Sequence, residues 1–464
     1  MKKVLLLNPP GEKIYIRDYY CSKVSKAYYL PQPVDLMIQS AHFPKDQYEV
    51  RVVDAIAERL PVELALGICD EFSPDLIISL CGSVSLEEDH YFLKALKACL
   101  PKSLLVASGD AFLEDHEDRF REYEWLDGII TNFFNDGARR LLEKKWDAIR
   151  GLVYRKDGLV VHTPEDKTKM VELPVPRHDL FRNALYRMPF ADAHPMATVL
   201  TNYACPFPCT FCIMSTLPFV SRTAESIIAE LKELQRLGIR YLYFSDQTFY
   251  LSKAVTDPVL DYLIQSDWDV HWMCFSRVDV LDQEKLEKMK QAGCNLIMFG
   301  VEWAEDKYLK QYRKNYTIQQ IEETFALTKK IGIKRLGTFL LGVPGQDEAS
   351  IRNTARFART IDADYASFNI AVPRSNTSFR DEALDAGLIE QDLRVMDQSG
   401  SEIAMGTGKV SKKKLKALRR QAYLGFYFRP SYLWKRVWAL RNKREFLTHT
   451  REAWFIIRGL ITGQ

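Results

Sequence analysis

A chain of 464 residues, 47% hydrophobic and 27% charged, has an ordinary globular composition that excludes disorder, collagen and a disulfide-stapled miniprotein; at about 150 residues per domain it is roughly three domain-lengths. Lysine and arginine number 64 against 61 acidic residues, a formal net charge of +3, so overall charge points neither toward nor away from a polyanionic partner. The apolar run at Met1–Asn8 is too short for a secretory signal and no stretch of about 20 apolar residues occurs, so cytoplasmic residence is expected. Nine cysteines, an odd number, then read as ligands or buried thiols rather than a disulfide framework.

Residues 1–145 alternate short apolar runs (Val4–Asn8, Tyr48–Asp54, Leu76–Leu80, Ser103–Ala107, Gly128–Ile130) with helical periods near Val34–Ala41, Val62–Phe72 and Tyr91–Cys99. That pattern predicts an α/β domain with a parallel, doubly wound, Rossmann-like sheet. A ligand of such a sheet sits beyond the carboxyl ends of the strands, here at the loops Asn8–Gly11, Asp54-Ala55, Cys81–Ser85, Ser108–Ala111 and Thr131–Asn135. Residues 146–195 read as a connector: a hairpin about Lys156-Asp157-Gly158, then a link punctuated by Pro174, Pro176, Pro189 and Pro195.

Residues 196–385 repeat strand and helix six times, with strands expected at Thr198–Thr201, Ile239–Ser245, His271–Ser276, Leu296–Gly300, Leu336–Leu341 and Tyr365–Ala371. This predicts a partial or full (β/α) barrel with its chemistry at the carboxyl ends of the strands. Residues 386–464 form a small helical C-terminal domain. From Val410 onward, Lys413, Lys416, Arg419, Arg420 and further cations are interleaved with Tyr423, Phe426, Tyr427, Trp434 and Trp438, against only Glu445 and Glu452. Such a tail reads either as a helical cap packed on the barrel or as an interfacial helix on an anionic membrane surface. Nucleic-acid binding is not expected, since no separate RNA-binding module accompanies it.

The sharpest chemical signal is Cys205-Pro206-Phe207-Pro208-Cys209-Thr210-Phe211-Cys212, directly after the first barrel strand. Thiolates spaced this closely converge on one centre if the loop wraps it, and the two prolines help fix that wrap. A structural zinc site would normally be closed by a fourth nearby cysteine or histidine, and none follows. A four-iron cluster with one iron open to an outside ligand fits the three cysteines better. Of the other cysteines, Cys69, Cys81, Cys99, Cys274 and Cys294 read as core, and Cys21 lies in a Tyr-rich loop, Tyr15–Tyr29, able to cover the first domain's crevice.

The Cys-x3-Cys-x2-Cys loop is similar to the signature of radical S-adenosylmethionine (SAM) enzymes. The resemblance implies a [4Fe-4S] cluster on Cys205, Cys209 and Cys212 whose open iron chelates SAM, an adenine contact from Phe211, and reductive cleavage to a 5′-deoxyadenosyl radical. Tyr243–Phe249 resembles the family's second-strand motif, which implies that Asp246 receives the methionine amino group. Phe299-Gly300-Val301-Glu302 resembles the fourth-strand motif, with Glu302 near the ribose, and Leu340–Glu348 the fifth-strand glycine motif, with Gly342 letting the backbone approach adenine. Ser276 and Arg277, ending the third strand, are placed to face the SAM carboxylate.

The first domain resembles the cobalamin-binding domain in front of many such enzymes, through Pro31–Leu36, Tyr48–Ala55 and Ser73–Ser79, so the likeness covers about residues 1–385. It implies cobalamin contacts at Ser83, Ser85, Ser108 and Gly109. Three departures stand out: no D-x-H-x-x-G histidine motif occurs, Ser108-Gly109 stands where a Gly-Gly pair is usual, and Asn132-Phe133-Phe134-Asn135 replaces an acidic glycine turn. The implied activity is methylation of an unactivated carbon through the deoxyadenosyl radical and methylcobalamin. The alternatives are cyclisation, rearrangement or C–C bond formation without net methyl transfer, and a non-catalytic protein with a structural cluster. The expected partners are a small-molecule or lipid-like substrate, an external electron donor of flavodoxin or ferredoxin type, and a membrane surface met through the tail.

Overall fold

The computed structural model describes residues 1–19, 21–25, 29–113, 116–163, 169–393, 397 and 402–438. The second half of the basic tail, with Glu445, Phe446, Glu452 and Trp454, lies outside the described residues. Among those described, no helix is long and apolar enough to cross a membrane.

Lys2–Asn8, with Val4 through Leu7 fully buried, is an inner strand of a seven-stranded sheet. Strands apolar on both faces suit a parallel sheet covered by helices on either side. It pairs in parallel with Tyr48–Asp54 and Leu76–Leu80, and Leu104–Ser108 and Gly128–Ile130 continue the parallel order. The hairpin expected in the connector instead extends this sheet: Leu152–Lys156 pairs antiparallel with Gly128–Ile130, and Leu159–His162 forms the edge. Leu152, Val153 and Tyr154 are buried, so joining the sheet removes apolar surface that a free hairpin would leave in water.

The second sheet has six parallel strands in sequence order: Met196–Val199, Tyr241–Phe244, His271–Ser276, Cys294–Glu302, Lys334–Leu341 and Tyr365–Ile370. It is an open, partial barrel. The connecting helices start where the sequence supplies caps: Thr223, Asp282, Thr317 and Asp347 each accept a backbone N–H three residues on, and Thr317 with Gln320 closes a capping box.

Neither barrel edge is left to water. At the last strand the helix Lys412–Tyr427 lies alongside, and Tyr423 and Tyr427 bond the backbone of Phe368 and Ala366. At the first strand, Thr198 N–H donates to Gln32 Oε1 of the first domain (2.7 Å), while Gln32 Nε2 donates to Asn183. One hydrophobic cluster runs from Val4, Leu6, Leu76 and Ile78 on the first sheet to Tyr241, Met273, Leu296 and Tyr365 of the barrel.

Candidate active site

A cavity of about 1180 Å³ opens between the two sheets. The residues from Tyr15 to Asp18 and Leu30 to Val34 line its first-domain side, the inner barrel face lines another, and the helix Lys412–Tyr427 forms a third wall. Cys205, Cys209 and Cys212 all lie on its surface.

The cysteine loop is held by local hydrogen bonds: Cys212 N–H donates to the Cys209 carbonyl, and Ser215 Oγ donates to the carbonyls of Cys209 and Cys212 (2.9 and 2.7 Å). Arg277 packs 3.7 Å over the Phe207 ring, and its Nη1 donates to Cys209 Sγ. Burial pushes the Cys212 thiol up to about 12 and raises that of Cys209, where Lys314 and Arg277 pull the other way. Iron binding requires the thiolates, and these two cations are placed to favour them. No group of three or more His, Cys, Asp or Glu among the described residues gathers around a single metal ion. A cluster of several irons holds its sulfur ligands farther apart than one ion does, so three cysteines on one cavity wall suit a cluster.

Phe211, Ser276, Arg277 and Glu302 also line the cavity. Phe211 stands edge-on to Trp303 with ring centroids 5.4 Å apart. Ser276 Oγ donates to the Phe249 carbonyl, and Arg277 forks onto Asp279 while donating to the Lys314 carbonyl. Glu302 ends its strand at a bulge with φ of 66°, which turns the carboxylate toward Lys314 Nζ at 3.2 Å. Thr198 and Ser245, also on the cavity, have buried hydroxyls with no hydrogen-bond partner among the described residues, which suits a polar ligand.

The remaining expected contacts are not on the cavity. Asp246 is fully buried, and its carboxylate accepts from Thr201 N–H, Asn202 N–H and Thr201 Oγ1; it ties down the strand end before the cysteine loop. Burial raises its carboxyl to about 7. Gly342, at φ of 91°, is covered by the C-terminal helix, where an added Cβ would stand 2.4 Å from Leu415 Cδ2. Its neighbour Leu340 is the residue on the cavity.

The four expected cobalamin contacts are likewise engaged elsewhere. Ser83 binds Asp110 through N–H and Oγ, Ser85 Oγ donates to Asp89 and accepts from Arg17, and Ser108 Oγ donates to Asp35. Gly109, at φ of 130°, allows a close approach of two loops, since an added Cβ would meet the Cys81 carbonyl oxygen at 2.2 Å. The crevice beyond these strands is filled by the segment that pairs Tyr15–Ile16 with Lys23–Val24. From it Arg17 donates to Asn8, Pro9, Pro10, Ser85 and Asp89, and Tyr19 packs on Phe133 and Tyr203. Cys21 does line the cavity, in the loop expected to cover the crevice, whereas Cys99, read as core, is exposed.

Lys314 was not legible in the sequence. It lies between two helices, and left-handed Arg313 and Asn315 on either side turn it inward, where it is 6% exposed beside Glu302, Phe211 and Tyr316. No spacing or periodicity marks such a position.

Residues 199–358 match the family model described as the Radical SAM superfamily. Over 446 residues the chain is 27% identical to an uncharacterized methyltransferase of Pyrococcus horikoshii, covering 93% of this chain and 94% of that protein. Among solved structures, the cobalamin-dependent SAM radical enzyme OxsB with aqua-cobalamin bound aligns over 100% of this chain and 72% of its own, with a TM-score of 0.71 and 16% identity. The radical SAM methyltransferase TsrM from Kitasatospora setae, with cobalamin and a [4Fe-4S] cluster bound, aligns over 80% of this chain and 72% of its own, with a TM-score of 0.61 and 18% identity. The barrel, residues 199–358, is a radical SAM domain. More particularly, the chain's two-domain fold is the one that OxsB and TsrM share.

Proposed function

We propose that the cavity is the site of a radical methylation, in which the cluster and SAM lie against the cysteine loop and the methyl group is carried by a cobalamin shared between the two domains. The observation that carries this reading is the position of Cys205, Cys209 and Cys212 on one wall of a cavity that also reaches the first domain. When bound and reduced by an external donor, the cluster with SAM supplies hydrogen-atom abstraction from carbon, and the cobalamin supplies the methyl group.

The chain's own residues then have distinct tasks. Arg277 and the hydroxyl of Ser215 keep the cysteine loop in place. Lys314 and Glu302 form a charge pair suited to the amino-acid and ribose ends of SAM, and Thr198 and Ser245 offer free hydroxyls. A cobalamin would be held along Tyr15–Asp18 and Leu30–Val34, not by Ser83, Ser85, Ser108 and Gly109. We place the reaction in the cytoplasm, with a flavodoxin or ferredoxin type donor and a small-molecule substrate.

The filled crevice favours a second reading, in which the first domain is structural and the radical acts without cobalamin, giving cyclisation or rearrangement. Anaerobic reconstitution with hydroxocobalamin, followed by desalting and measurement of the cobalt-to-iron ratio, separates the two. Stoichiometric cobalt supports methyl transfer; an intact cluster without cobalt supports the second. Cys205→Ala, Cys209→Ala and Cys212→Ala should each lose the visible iron–sulfur absorbance and deoxyadenosine formation, and retention of both in these variants would overturn either reading.

A further inference from the structure

The cavity wall formed by the C-terminal helix has a polarity that the reading above does not use. The helix Lys412–Tyr427 runs antiparallel to the last barrel strand: Leu415 packs at Gly342, beyond the end of Lys334–Leu341, Tyr423 bonds Phe368, and Tyr427 bonds Ala366 near the start of Tyr365–Ile370. Its cavity face therefore changes character along the barrel axis. Lys413, Lys416 and Arg420, one helical stripe, stand toward the carboxyl ends of the strands, and Leu424 and Phe428 continue the same stripe toward the amino ends. All five side chains are exposed and line the cavity.

The three cations have no carboxylate partner among the described residues, in contrast to neighbouring Lys414, which pairs with Glu348 at 3.1 Å. The depth of the cavity beside the apolar half is also apolar, lined by Phe190, Leu336 and Tyr365. Three unpaired cations at one end of a wall and an apolar channel at the other complement a molecule of matching shape.

Resting on the radical SAM reading of this cavity, we infer that its substrate is an anionic amphiphile. Its carboxylate or phosphate group is held by Lys413, Lys416 and Arg420 at the catalytic end, and its apolar body runs down the barrel past Leu424 toward Phe190 and Tyr365. The stripe faces the cavity, so the ligand is a single molecule taken inside and not a bilayer surface.

The test uses the full, cluster-reconstituted chain and follows binding of decyl phosphate and decanoate below their micelle concentrations, against decanol and inorganic phosphate. One of the two anionic amphiphiles should bind at least about tenfold more tightly than decanol and than inorganic phosphate, and Lys413→Gln/Lys416→Gln/Arg420→Gln should bring it to the level of decanol. Arg420→Lys should retain most of the preference, which shows that charge and not helix packing is being read. Equal binding of decanol and the anions, an unaffected triple variant, or attachment to anionic vesicles without binding of the monomeric amphiphiles would overturn the inference. Cluster absorbance and deoxyadenosine formation are recorded on the same samples, so a failed radical assignment is told apart from a failed substrate assignment.

Discussion

The hydroxyl of Tyr427 completes the hydrogen bonding of Ala366, accepting from its N–H at 3.1 Å and donating to its carbonyl at 2.8 Å. One helical turn earlier, Tyr423 does the same for Phe368, at 3.1 and 3.3 Å. Two phenols spaced i, i+4 thus meet backbone groups spaced i, i+2, standing in for a neighbouring strand. An open sheet edge is a template for unwanted pairing, and this one is covered by side chains.

Replacing both tyrosines by phenylalanine keeps the packing and removes the phenol partners of the Ala366 N–H and carbonyl and of the Phe368 N–H, while the Phe368 carbonyl keeps Arg419 Nε at 2.9 Å. Each such loss costs about 1–3 kcal/mol. Tyr423→Phe/Tyr427→Phe should lower the urea midpoint, with iron binding preserved in the folded fraction; an unchanged midpoint would mean that water replaces the phenols.

Asp246 binds three donors on Thr201 and Asn202, which gives it a role in holding the chain before the cysteine loop. Asp246→Ala leaves two backbone N–H groups and the Thr201 hydroxyl without their acceptor and should cost about 1–3 kcal/mol in stability, together with loss of iron loading. SAM affinity of the fraction that retains its cluster should stay near wild type; a selective loss of SAM affinity would restore the ligand role.

Lys314 is the buried cation nearest Glu302 and Phe211. A charged hydrogen bond contributes about 1.5–3 kcal/mol, or about tenfold or more in affinity. Lys314→Met should weaken SAM binding by that factor, read per cluster on the fraction that retains its iron.

Asp35 is fully buried and its carboxyl is raised from 3.8 to about 8, by burial first and then by Asp18. The folded chain therefore binds a proton that the unfolded chain has lost, so this residue's contribution to stability falls as pH rises from about 4 to 8 and is flat above. Asp35→Asn, which can accept from Tyr19 N–H through its oxygen and donate to Ser108 Oγ through its nitrogen, should raise the melting temperature at pH 8 and change it little at pH 4, read by thermal unfolding across that range.

Both sheets were legible in the sequence because their strands are continuous apolar runs between capped helices, and the cysteine loop was legible because its spacing is itself the chemistry. What escaped has a common cause. Asp246, Gly342 and Ser108 occupy motif positions whose side chains or backbone are satisfied by partners far away in sequence, at Thr201, Leu415 and Asp35. Such pairing is tertiary and leaves no local pattern. The hairpin at 152–162 was read as part of a connector for the same reason: its alternation reveals a strand pair but not the sheet it joins. The tail's aromatic residues suggested packing or a membrane, and two of its tyrosines serve the edge of a strand.

The amide of Gln32 also bears on how the molecule comes apart. It reaches from the first domain to Thr198 on the barrel's other edge, beside an apolar cluster shared by both sheets. Pulling the domains apart would expose that edge and divide that cluster at the same moment. Unfolding of one domain therefore carries the other with it: calorimetry should register a single endotherm for residues 1–385, and proteolysis should find no stable fragment that begins at the barrel.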